Sequence, residues 1–193
     1  MSDDHGLNTA SLVPGVNFGM RECRRYITGH DASGKAIYLD SPPLLWAKGG
    51  DAIAGSHSYA VDKVPADLTG EEDLNSYLSS DPSNPVSHLV VRATVPGGVN
   101  WVVTNLAPGA QTRMHRTVSV DSTICVEGHV AMDVDSGDRR ELLPGDHVIQ
   151  RGTNHRWINL SNDKPARLVG ITVAINPITI AGKTLKEEYL VDA

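Results

Sequence analysis

Two glycine-punctuated segments constrain this chain more than any other feature. The first runs from Gly109 to Gly128 and reads G-x5-H-x-T-x3-D-x6-G, with His115, Thr117 and Asp121 between the glycines. The second reads G-x6-G-x2-H-x3-N, from Gly145 through Gly152 and His155 to Asn159. Each holds polar, chemistry-bearing side chains at set distances from a turn former. Short runs bounded by glycine in this way read as β-strands joined by tight turns.

The neighbouring sequence keeps the same beat. Strands are expected at Leu89–Thr94, Trp101–Leu106, Arg113–Thr117, Asp121–Val126, Val130–Val134, His147–Gln150, His155–Asn159 and Ala166–Ile175. Turn chemistry separates them: Pro96-Gly97-Gly98, Pro108-Gly109, Glu127-Gly128, Asp135-Ser136-Gly137-Asp138, Pro144-Gly145 and Ser161-Asn162-Asp163. Strands at this spacing predict an all-β jelly roll or small barrel over residues 89–176. With one phenylalanine in the chain, its core must lean on Val, Ile and Leu.

Upstream, residues 1–15 read as a loose arm, and 16–88 as strands and a long connection packed on the barrel. Arg25–Thr28 and Ala36–Leu39 flank the turn formers His30 to Gly34 and predict a hairpin. Thr69-Gly70-Glu71-Glu72 fits a capping box with Thr69 as N-cap, predicting a short helix through Leu78. Downstream, 177–193 is a tail in which Thr184 to Leu190 is expected to be helical.

A length of 193 residues suits one domain with a sizeable core. The formal charge is -6 and the basic residues are scattered, which argues against nucleic-acid binding. The small knot Arg21, Arg24, Arg25 reads as a solvated strand edge. No run reaches the ~18 apolar residues of a membrane helix. The opening Met1-Ser2-Asp3-Asp4-His5-Gly6 is unlike a signal peptide, and the two cysteines suit a reducing compartment, so a cytoplasmic protein is expected.

Strand period then arranges the candidate site. Side chains two apart share a face, so His115, Thr117, Ser119, Asp121, Thr123 and Cys125 line up if the pleat is kept. Those small or polar residues suit a solvated cavity, whereas Val118, Val120, Ile124 and Val126 occupy the opposite face. Barrel closure would bring His155 opposite His115. Two imidazoles and a carboxylate form a donor set for Fe(II), Mn(II), Zn(II) or Ni(II). As a pocket carboxyl, Asp121 is alternatively a general acid or base. Arg113, Thr117, Thr123, Cys125 and Trp157 are the candidate substrate-binding residues, with Arg113 placed to meet an acidic or phenolic group. His129 and His147 are expected to face outward, and Tyr26 and Trp101 to pack.

These residues resemble the cupin signature, G-x5-H-x-H-x3,4-E-x6-G followed by G-x5-P-x-G-x2-H-x3-N. The resemblance covers roughly residues 89–176. Thr117 stands where the second histidine belongs, Asp121 replaces the glutamate, and Gln150 replaces the proline. The strings Met114 to Thr117, with Ser119 and Asp121, and Gln150 to His155 resemble a small-cupin subgroup found in bacteria and in fungal secondary-metabolite clusters. The resemblance implies a cupin-type β-barrel, a homodimer, and a small-molecule substrate. It also implies one divalent metal held by His115, Asp121 and His155, with a metal-free barrel as the alternative. The expected function is a tailoring oxidoreductase or oxygenase on a phenolic, polyketide-like or carbonyl substrate. A metal-assisted lyase or isomerase, and a non-catalytic ligand-binding cupin, are the alternatives.

Overall fold

The computed structural model describes residues 8–190. In chain order the strands are β1 (Asn8–Pro14), β2 (Ile27–His30), β3 (Ala36–Leu39), β4 (Leu45–Gly49), β5 (Ile53–Val61), β6 (Val99–Leu106), β7 (His115–Arg116) and β8 (Ser119–Glu127). They continue as β9 (Val130–Val134), β10 (Arg139–Leu142), β11 (His147–Arg151), β12 (His155–Asn159), β13 (Ala166–Ala174), β14 (Thr179–Ile180), β15 (Lys183–Thr184) and β16 (Glu188–Tyr189). The helix α1 spans Glu72–Tyr77. Among the described residues, no helix is long and apolar enough to cross a membrane.

A seven-stranded sheet runs β1-β4-β5-β6-β13-β8-β11, and a five-stranded sheet runs β10-β9-β12-β7-β16. Their inner faces meet in a core. Leu106, Cys125, Ala166 and Leu168 come from the first sheet, and Val130, Met132, Leu142 and Trp157 from the second. The expected alternation is plain along β8, where Ser119, Asp121, Thr123 and Cys125 are buried and the residues between them are partly exposed. The motif glycines make the turns. At Gly128, φ is 91°, and an added Cβ would lie 2.6 Å from the Cβ of Ala166. Both the left-handed backbone and the close approach exclude a side chain there.

The outer face of the seven-stranded sheet is also covered. Leu44, Trp46, Ala54 and Val103 pack there under Val16, Phe18 and Cys23. Asn105 Nδ2 donates to the Val16 carbonyl at 2.7 Å, and an Arg167 Nη donates to the Arg21 carbonyl at 2.9 Å. Buried polar side chains thus fix the incoming chain to the sheet.

Several sequence expectations are corrected. The segment 89–94 forms no strand, because side chains take its carbonyls: Asn100 Nδ2 donates to Arg92 O at 2.7 Å, and Thr172 Oγ1 to Ala93 O at 2.8 Å. The unanticipated β4 and β5 add to β6 instead. Their signal was weak because β5 is buried on both faces and a register shift lies between His57 and Tyr59. β10 was also missed. Thr69 does not cap α1: Gly70 and Glu71 are left-handed, and the Thr69 amide instead donates to Asp67 Oδ1 at 3.0 Å. The expected helix over 184–190 is extended, because Glu188 and Tyr189 pair with the free edge of β7. The arm is partly a strand, since β1 pairs with β4; residues 1–7 lie outside the described residues.

The basic knot is not uniformly solvated. Arg25 donates to Ser58 O at 2.6 Å and to the Tyr77 hydroxyl and Pro42 carbonyl, with its guanidinium 5.3 Å from the Tyr77 ring centre. Tyr26 is 69% exposed and packs edge-on against Tyr38 rather than in the core. The hairpin does form as β2–β3, with Asp31 Oδ1 accepting from the Ser33 and Lys35 amides.

Candidate active site

Between the sheets, beside the apolar core, lies a cavity of about 430 Å³. The face alternation along β8 places Asp121 and Thr123 in its wall, and Leu168, Gly170 and Thr172 follow on β13. The facing sheet contributes His115, His155 and Trp157. Proximal Arg113 and Thr117 also line the cavity. Cys125 does not: it is fully buried in the core cluster with Leu106 and Val130. The β8 interior therefore changes from polar to apolar after Thr123, and the expectation of Cys125 as a substrate contact is corrected by that packing.

His115 and His155 are cross-strand partners between β7 and β12, with ring centres 4.1 Å apart. His115 Nδ1 lies 2.9 Å from Arg113 O, and His155 Nδ1 lies 3.2 Å from Thr153 O. A carbonyl only accepts, so each Nδ1 carries a proton. Burial, and then the nearby His115 charge, push the His155 pKa down to about 3. His155 is therefore a neutral imidazole at physiological pH.

Asp121 is 6% exposed and stands in a different network. Ser119 Oγ donates to Thr117 Oγ1 at 2.8 Å, Thr117 Oγ1 donates to Asp121 Oδ2 at 3.3 Å, and Gln150 Nε2 donates to the same oxygen at 3.1 Å. Asp121 Oδ1 is buried without a hydrogen-bond partner. Burial raises the carboxyl pKa, against lowering by the Ser119 and Thr117 hydroxyls. Gln150 was legible only as a departure from a motif proline; its 2% exposure and register opposite Asp121 make it a partner of the acid.

The three-ligand metal set implied by the resemblance does not assemble. Among the described residues, no group of three His, Cys, Asp or Glu side chains could hold an ion. The imidazoles meet each other while Asp121 is engaged by Thr117 and Gln150. A pair of imidazoles falls short of the three protein ligands usual in catalytic zinc sites.

Wall residues outside the two motifs include Tyr189 and Arg92. Tyr189, in the tail expected to be helical, stacks on His115 with ring centres 5.5 Å apart and planes 3° from parallel. The Arg116–Glu188 ion pair at 2.5 Å secures that strand. Arg92 enters the wall from the irregular 86–98 segment. The two outward histidines behave as expected: His147 is exposed, and His129 Nε2 meets Glu141 at 2.9 Å.

Similarity to known proteins agrees with this architecture. The chain is 36% identical over 174 residues to phomopsin biosynthesis cluster protein C' of Diaporthe leptostromiformis, covering 86% of each chain. It is also 36% identical over 170 residues to a cupin-domain-containing oxidoreductase of Neurospora crassa, covering 86% of this chain and 81% of the relative. The chain belongs to the cupin superfamily. No family model matches this cupin. Among solved structures, a cupin 2 conserved barrel domain protein of Salinispora arenicola aligns with 44% of this cupin and 71% of its own chain, at 22% identity and a TM-score of 0.37. Its curated relatives include cupin-domain-containing oxidoreductases and proteins of secondary-metabolite clusters.

Proposed function

We propose that this cupin transforms a small carbonyl-bearing metabolite by proton transfer inside the barrel, as an isomerase or dehydrating lyase. The observation that carries the reading is the placement of an acid and a base on opposite sheets of one cavity. Asp121 stands on β8, and the His115–His155 pair stands on β7 and β12. In this reading neutral Asp121 is the general acid and His115 the base. His115 takes a proton from the carbon next to the carbonyl, the C–H electron pair moves toward oxygen, and Asp121 delivers its proton there. Neutral His155 avoids placing a second positive charge 4.1 Å away from protonated His115. Tyr189 and Trp157 hold the rings from either side.

A second reading is an oxidoreductase of secondary metabolism, favoured by the names of relatives such as those from Neurospora crassa and Aspergillus ruber. The experiment offers ketone and phenolic-aldehyde substrates in deuterated buffer while oxygen uptake and bound metal are measured. Solvent deuterium at the carbon next to the carbonyl, lost in Asp121→Asn and His115→Ala, supports proton transfer. Oxygen uptake, with stoichiometric metal lost in His115→Ala, supports the oxidoreductase and overturns the first reading.

A further inference from the structure

The cavity wall carries an imbalance of charge. Arg92 and Arg113 both line it, whereas among the described residues Asp121 is the only carboxyl in the lining. Arg92 is half-buried, and its Nε is buried with no hydrogen-bond partner. Among the described residues, no ion pair uses it. Burial is the main cause that lowers the His57 pKa, and the positive charge of Arg92 adds to it.

Other inward arginines are bonded differently. Arg116 pairs with Glu188, and Arg167 Nε donates to Asn105 Oδ1 at 2.8 Å. A half-buried guanidinium without a counter-charge is costly, and a bound anion would offset that cost. The backbone that presents Arg92 is firmly held. Its own carbonyl accepts from Asn100, the next carbonyl accepts from Thr172, and the Val90 carbonyl accepts from His57 Nδ1.

We infer that Arg92 is the anion-binding residue of this cavity, and that the molecule accepted there carries a carboxylate. A guanidinium matches the two oxygens of a carboxylate better than the single oxygen of a phenolate. Arg113, more exposed on the same wall, adds a second cation that attracts the anion. This deepens the proposed function and rests on the cavity being the reaction site.

Calorimetric titration of the full chain with benzoate, benzamide and 4-nitrophenolate tests the inference without turnover. Benzoate is expected to bind best, and Arg92→Gln to weaken it about tenfold or more, while benzamide is unaffected. Arg92→Lys is expected to retain part of the affinity, and near-ultraviolet circular dichroism checks that both variants are folded. Equal benzoate affinity in folded Arg92→Gln, equal binding of benzamide and benzoate, or no binding of any probe would overturn the inference. Tighter, Arg92-dependent binding of the nitrophenolate would overturn the choice of carboxylate. Benzoate binding needs no turnover, so failure of the proton-transfer reading, scored by deuterium exchange, and failure of anion binding, scored in Arg92→Gln, are separable.

Discussion

Gln150 faces Asp121 across the β8–β11 ladder, and its amide donates to the carboxyl at 3.1 Å. That bond favours the ionised acid, while burial favours the neutral one. Gln150→Leu removes the donor. The Asp121 pKa should then rise further, because a hydrogen bond to the charged form is lost. Carbon-13 titration of the Asp121 carboxyl and the basic limb of the pH–rate profile measure it. An unmoved limb would show that Asp121 is not the acid.

Stability should fall in acid through two histidines. Burial is the leading cause that lowers His57 to about 4 and His155 to about 3. Below about pH 6.5 the unfolded chain gains a proton at each site and the folded chain does not. Their contribution is therefore complete above about pH 6.5 and declines as pH falls toward the folded values. The slope is up to about 2.7 kcal/mol per pH unit for both together. Asp121 acts in the opposite sense: its raised pKa stabilises at low pH, and that contribution is lost as pH rises through the folded value. Urea midpoints between about pH 4 and pH 7 check the slope, which His57→Gln should roughly halve.

Tyr189→Ala should act on the cavity more than on the fold. The ring stacks on His115 at the cavity wall, but it sits on a two-residue strand at the sheet edge. Loss of a ring stack of about 0.5–1.5 kcal/mol should lower Tm by only a few degrees, while loss of the ring that positions His115 should raise KM. A large fall in Tm with an unchanged KM would assign Tyr189 to structure alone.

Cys125→Ser should do the reverse. The thiol is buried in apolar packing, and burial raises its pKa. A hydroxyl there should cost about 1–3 kcal/mol with kcat unchanged, measured by thermal melting and assay. In the native protein, a thiol reagent should modify half-buried Cys23 before Cys125.

The barrel and its polar inner face were legible because strand period and glycine turns are local. One pleat fixes the shared face of Ser119, Asp121 and Thr123, and a left-handed turn at Gly128 needs no distant partner. Residue types also brought His115 and His155 together, since two motif strands in one barrel have few ways to pair.

What lies across a ladder was not legible, because register depends on residues far apart in the chain. Only the tertiary structure set Gln150 and Thr117 against Asp121, and turned an expected helix into the strand carrying Tyr189. It also drew the 89–94 segment out of the sheet by giving its carbonyls to Asn100 and Thr172, which left Arg92 in the cavity wall. Local pattern determined that this chain forms a barrel with a polar interior. Long-range pairing decided which charges face one another inside it.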